Sequence, residues 1–238
     1  SFSGCGNLQV VNIDEKNPNF KSVDGAVYDF NHRIVLCPAG KKGNFMLPVD
    51  VRTIGEEAFG GCDSLTSILL PDSLRNICDG AFWGCQKLKS VHIPDSVSSI
   101  GTGVFLGSGI SFINLPKGVK SIGEESFKNC SKLSSISIPN TVTVIGSKAF
   151  QGCSNLVAIN LPVNLVSVGD WAFNGCINLK SVALPKSVSS IGSNAFAGCS
   201  SLMSIVVPDA VKSIESSTFG QCSSLRSVAL PLGLKTLG

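Results

Sequence analysis

Ten cysteines stand out first in this chain of 238 residues. Thiolates bind zinc, close disulfides or attack electrophiles, and each use leaves its own spacing in a sequence. A zinc site gathers four ligands from different directions, commonly as C-x-x-C pairs, and no C-x-x-C occurs here. Instead Cys62, Cys85, Cys130, Cys153, Cys176, Cys199 and Cys222 recur every 23 residues, with one gap of 45, and Cys5 opens the same pattern. A periodic thiol is a packing residue, because free Cys behaves as a small hydrophobe. These eight therefore read as a buried ladder. Neighbouring rungs would lie about 5 Å apart at Cα, a distance that a disulfide also tolerates. Bridging, however, would pull the side chains out of the parallel orientation that stacking imposes. Cys37 and Cys78 fall off the period and are the candidates for reactive thiols.

The other chemically capable residues form no convergent set. There are two histidines, His32 and His92, and they share no motif. His92 lies between Val91 and Ile93 as the outward residue of a strand, and His32 falls at the tip of a hairpin. Glu56-Glu57 and Glu124-Glu125 occupy one phase of the repeat, which marks a solvated rim rather than a general acid and base. Serine is abundant without a G-x-S-x-G elbow, and no G-x-x-x-x-G-K-[ST] phosphate loop is present. The sequon at Asn129-Cys130-Ser131 coincides with a ladder position. The sequence thus gives no catalytic, cofactor-binding or metal-binding residues, and the expectation is a protein that is not an enzyme.

What positions all these residues is a repeat. Phenylalanine recurs at 59, 82, 105, 127, 150, 173, 196 and 219, and proline at 71, 94, 116, 139, 162, 185, 208 and 231. The unit reads C-x-x-L-x-x-(I/V)-x-(I/L/V)-P-x-x-(V/L)-x-x-I-G-x-x-A-F-x-G, as Cys153 to Gly175 shows with Val168 in place of Ile. Leu156-x-x-Ile159-x-Leu161 alternates as a strand with one buried face should. Proline cannot donate to a ladder, so it ends the strand and turns the chain. Val-x-x-Ile-Gly then runs antiparallel or extended along a second wall. Gly-x-x-Ala-Phe forms a tight corner or one short helical turn, with glycine supplying a positive φ. One coil cannot bury its own apolar set; stacking about nine of them at ~4.8 Å does, over roughly 40–45 Å. The coil at 105–116 lacks the cysteine, reads Gly107-Ser108-Gly109 and is one residue short, so a local irregularity is expected there.

Composition narrows the function further. Hydrophobic residues are 43% and charged residues 15%, which requires an apolar interior and argues against disorder. Net charge is +3 and no basic block exceeds Lys41-Lys42, so the basic stripe of a nucleic-acid binder is missing. No apolar run approaches the ~18–20 residues that span a bilayer. The opening Ser1-Phe2-Ser3-Gly4-Cys5 has no leader character, and the chain stops at Leu237-Gly238 ahead of the next Ala-Phe. Residues 1–238 are thus expected to form one solenoid cut from a longer chain.

The repeat resembles the leucine-rich repeat of the BspA-like type over almost the whole chain. Residues 14–48, with Val23-Asp24-Gly25, Arg33-Ile34-Val35-Leu36 and Cys37-Pro38-Ala39-Gly40, are similar to the longer repeat variant of that family, carrying a hairpin-like insertion near 20–45. Proline stands after the strand where the ordinary leucine-rich repeat has Asn or Cys. The resemblance implies a right-handed solenoid with a parallel sheet on its concave face and extended or short-helical segments on the other walls. It also implies a non-enzymatic, protein-binding adhesin-type module at the cell surface or secreted, meeting host matrix or cell-surface proteins and touching a membrane only through an anchor outside this segment. A structural spacer displaying another domain is the alternative.

In such solenoids the outward strand positions are the contact surface. Here they are Ser67, Leu69, Ser90, His92, Phe112, Asn114, Ser135, Ser137 and Asn160, continued by Ala158, Ser181, Ala183, Ser204, Val206, Ser227 and Ala229. They are small and almost uncharged. Phe112, Leu69 and His92 form the first patch to test.

Overall fold

The computed structural model describes Phe2 and residues 5–238. The chain winds into a β-solenoid in which each coil visits three sides in turn, and no helix occurs among the described residues.

The first side is the strand wall. Gly43–Met46, Leu65–Leu69, Phe112–Asn114, Ser135–Ser137, Ala158–Ile159, Ser181–Val182, Ser204–Val206 and Ser227–Ala229 lie along it, and every recorded pairing is parallel. His92 joins it through a parallel bridge to Asn114. Proline then closes a turn in which its carbonyl accepts the N–H three residues on, as from Leu74 to Pro71 and from Val97 to Pro94, both 3.0 Å. It is an apt residue there, since only its carbonyl is required.

The second side resolves the antiparallel-or-extended alternative. It is also a parallel sheet, of two-residue strands such as Thr53–Ile54, Asn76–Ile77 and Val144–Ile145. Its pairing is interrupted twice, between Ser99–Ile100 and Ser121–Ile122 beside the short coil and between Ser190–Ile191 and Ser213–Ile214. Across the short coil the strand wall still pairs Phe112–Asn114 with Ser135–Ser137.

The third side is the Ala-Phe corner, and it is made of turns instead of the short-helical segment included in the expectation. Two left-handed residues build each corner, for example Lys148 (φ 55°) with Gly152 (φ 73°), and Trp171 (φ 58°) with Gly175 (φ 70°). The glycine after Ile has another reason than positive φ. A Cβ on Gly169 would lie 2.6 Å from the Ser147 nitrogen, so glycine is kept for close approach of neighbouring coils.

Stacking aligns equivalent side chains. Phe59, Phe82, Phe105, Phe127, Phe150, Phe173, Phe196 and Phe219 form a continuous spine with ring centroids 5.2–5.9 Å apart, and Phe45 caps it edge-on at 5.4 Å. The spacing of 22 between Phe105 and Phe127 leaves their stacking at 5.5 Å. Ahead of the regular coils, β1 (Phe20–Val23), β2 (Ala26–Asp29) and β3 (Arg33–Leu36) form an antiparallel meander. Strand β3 then pairs in parallel with Thr53–Ile54, and so feeds the meander into the second side.

A candidate protein-binding wall and the thiol ladder behind it

The thiols hold the wall from inside. All ten cysteines are free. From Cys85 onward each ladder Sγ donates to the carbonyl of the phenylalanine one coil earlier: Cys85 to Phe59 (3.1 Å), Cys153 to Phe127 (3.1 Å) and Cys199 to Phe173 (3.2 Å). The same carbonyl accepts its own coil's cysteine N–H, as Phe59 does from Cys62 at 3.1 Å. The thiol therefore fills the second lone pair of a buried carbonyl, which explains cysteine better than size alone. Burial pushes the Cys130 thiol up to about 11 and the Cys199 thiol up to about 12, so these sulfurs stay protonated donors.

Three thiols depart from the expectation. Cys37 is buried and is the first rung, not a reactive outlier; Cys62 Sγ approaches its carbonyl at 3.7 Å. Two extra residues between Cys37 and the following strand hid its phase. Cys5 is exposed, not a buried rung, and Cys222 is half-buried. Cys78 is half-buried at the position other coils give to glycine, with its thiol raised by burial. In the short coil Ser108 takes the ladder place, buried, with its hydroxyl 3.4 Å from Cys130 Sγ. Among the described residues no group of three or more His, Cys, Asp or Glu is placed to hold a metal ion.

Outward residues alternate with this core. Ile68, Ile113 and Ile159 point in, while Ser67, Leu69, Phe112, Asn114 and Asn160 are exposed, as are His92, Ser135 and Ser137; Ser90 is half-buried. The pairing register sorts them into two columns. Asn44 opposes Ser67 and Phe112 opposes Ser135 in one, while Met46 opposes Leu69 and His92 and Ser137 each oppose Asn114 in the other. Phe112 and Leu69 are therefore in different columns and two coils apart, so Phe112, Leu69 and His92 do not form one contiguous patch.

The residues missed from sequence are Asn44 and Met46. Asn44 Oδ1 accepts from the hydroxyls of Ser67 (2.7 Å) and Thr66 (3.3 Å), and Met46 is 70% exposed beside Leu69 at 60%. The signal was Pro48, which stands 23 residues before Pro71 and marks Gly43–Met46 as a wall strand. The two outward columns hold no Asp, Glu, Lys or Arg, and their flank holds an ion pair between Lys117 Nζ and Asp95 Oδ2 at 3.0 Å. The backbone N–H and ammonium of Lys117 hold the Asp95 carboxyl below the usual carboxylate range. His32 lies in the turn after β2, exposed, with Nδ1 2.9 Å from Asp50 Oδ2. It is remote in sequence register from His92, and the two make no common site.

Coils of about 23 residues, parallel strand pairing and a leucine-lined interior define a leucine-rich-repeat scaffold with an open sheet surface. The profile of the BspA type leucine-rich repeat region matches residues 41–157 and 144–238 in six copies, and the chain belongs to that family. A comparison with curated proteins returned no match. Among solved structures, a leucine-rich repeat protein from Eubacterium ventriosum is similar at 26% identity and TM-score 0.75, covering 82% of this chain and 53% of its own. One from Bacteroides ovatus gives 28% identity and TM-score 0.67 over 98% of this chain and 71% of its own. A leucine-rich cell surface protein from Faecalibacterium prausnitzii gives 28% and 0.54 over 79% and 60%. The chain thus spans about half the length of the Eubacterium ventriosum protein.

Proposed function

We propose that this chain is a protein-binding module displayed at a cell surface or secreted, and that it meets its partner with the early coils of the strand wall. The observation that carries this reading is the exposed pair Met46 and Leu69, adjacent in one column and continued by His92, on a wall otherwise made of small polar residues and Ala apart from the single exposed Phe112 and Val206. Large exposed side chains on a flat sheet are the anchors an interface uses, and small neighbours let a partner approach closely. The cell surface similarity of the Faecalibacterium prausnitzii protein supports the location. Among the described residues no helix is long and apolar enough to cross a membrane, so attachment would come from outside this segment.

The test is surface-captured binding of fibronectin, fibrinogen and intact host cells to wild type and to the double variant Met46→Ser/Leu69→Ser. Loss of binding by at least tenfold in the double variant, with Phe112→Ala weaker by a smaller factor, supports the wall. Equal binding by all variants discards it. Binding by none of the three probes, even for wild type, favours the spacer reading.

A further inference from the structure

The third side carries a feature that neither the core nor the strand wall requires. Trp171 occupies the first left-handed position of its corner, with φ 58°, and is 39% exposed. Equivalent positions in other coils hold Glu57, Gly80, Gly103, Glu125, Lys148, Asn194 and Ser217. Packing therefore does not ask for an aromatic residue there, and a bulky side chain is the least suited to a left-handed backbone. The other tryptophan behaves differently. Trp83 lies across Gly60, so closely that a Cβ on that glycine would overlap its indole nitrogen. One indole is packed into the corner; the other is presented.

Trp171 is presented to an open groove lined with amides and ammonium groups. Gln151 Nε2 donates to Asn174 Oδ1 at 3.2 Å, and Asn174 Nδ2 donates to the Ala197 carbonyl at 3.0 Å, which fixes both amides in one row. Asn129 is exposed at the head of the groove, and its Oδ1 lies over Gly152. Lys128 Nζ (2.8 Å) and Lys148 Nζ (3.0 Å) converge on a single oxygen of Glu125, which anchors two ammonium groups at the same end. Gly152 and Gly175 leave the trough without side-chain walls.

We propose that this groove binds a carbohydrate, with Trp171 as the platform for one hexose ring. The face of an indole is electron-rich and attracts the polarised C–H groups on the apolar face of a pyranose. Amides offer a donor and an acceptor side by side, which suits adjacent hydroxyls, and ammonium groups supply further donors. An aliphatic pocket, which a protein anchor would need, is missing from the lining. A nucleic acid would need more net positive charge than two lysines shared with one glutamate.

The chain has two tryptophans, so Trp83→Phe leaves Trp171 as the only indole reporter. That variant, checked for wild-type circular dichroism, would be titrated with cellohexaose, mannohexaose, chitohexaose and 3′-sialyllactose while its emission is followed. A saturable shift with at least one probe is expected. Calorimetry on the full chain should show that probe's affinity lowered at least tenfold by Trp171→Ala and at least threefold by Asn174→Ala, while Met46→Ser leaves it unchanged. No emission change with any of the four at millimolar concentration overturns the proposal, as does undiminished affinity in Trp171→Ala. Equal loss of binding to an enzymatically deglycosylated protein partner in Trp171→Ala would make the groove a protein-docking site, and would also overturn it. The strand-wall reading is tested by different residues and survives any of these outcomes.

Discussion

The Ala-Phe corner and the strand wall are made by the same 23-residue unit, yet the two sides treat sequence in opposite ways. In the corner, the ring at each level stacks on its equivalent 5.2–5.9 Å away, so one coil's residue is the next coil's packing surface and must match it. On the wall, only the inward residue of each alternation is constrained, and the outward one is free to differ. Repetition therefore marks what the fold needs, and departures from it fall where packing leaves the residue free. Met46, Leu69 and Phe112 are such departures on the wall, and Trp171 is one in the corner itself.

The sharpest contrast is in thiol reactivity. Iodoacetamide at neutral pH should label exposed Cys5 at least ~10³-fold faster than Cys176, whose sulfur is reached only through opening of the coil. Burial also raises the Cys176 thiol far above its ordinary value. Mass-spectrometric mapping over time checks this, and fast labelling of all ten thiols would refute the buried ladder. Next in size is Phe127→Ala, which removes a ring stacked on both sides; denaturant unfolding should show a loss of ~3–5 kcal/mol. A loss below ~1 kcal/mol would mean the spine does not couple the coils.

Gly169→Ala should cost about 1–3 kcal/mol, since its Cβ meets backbone at 2.6 Å, while Gly118→Ala, whose nearest such contact is 3.6 Å, should be near neutral. Equal effects would remove close approach as the reason for glycine. A smaller effect follows from Glu125, whose carboxyl is held below the ordinary carboxylate range chiefly by Lys128, then by Lys148. Its contribution is therefore complete above that range and is lost as pH falls through it toward the depressed folded value. The unfolding midpoints of wild type and Glu125→Gln should converge on acidification, and should also converge in high salt. The smallest effect on stability belongs to the wall. Met46→Ser and Leu69→Ser should each stay within ~0.5 kcal/mol of wild type, because those side chains face solvent. A large loss from either would make the wall part of the core.

Most of the interior was readable because stacking writes itself into the sequence as a period. The Phe spine, the rungs from Cys62 to Cys199, the proline turn and the inward isoleucines all follow from it. What escaped lies where the period is broken or where two elements share a phase. The two residues inserted after Cys37 hid both that rung and the wall strand Gly43–Met46, although Pro48 kept the register. The glycine after Ile was assigned a positive φ, but the left-handed residues proved to be those two and six positions later, as Trp171 and Gly175 are after Gly169. Spacing identifies a glycine without saying whether it serves φ or contact.

The sequence alone determined that this protein is a stack of equivalent coils, because only coils of one composition can cover one another's apolar sets. The tertiary structure decided what those coils bring together across 22 to 26 residues of chain. Met46 beside Leu69, Cys37 beneath Cys62, and Lys128, Gln151 and Asn174 in one row with Trp171 all depend on how far each coil is offset from the last. That offset is set by packing of backbone on backbone, at distances where one inserted or missing residue changes which side chains meet.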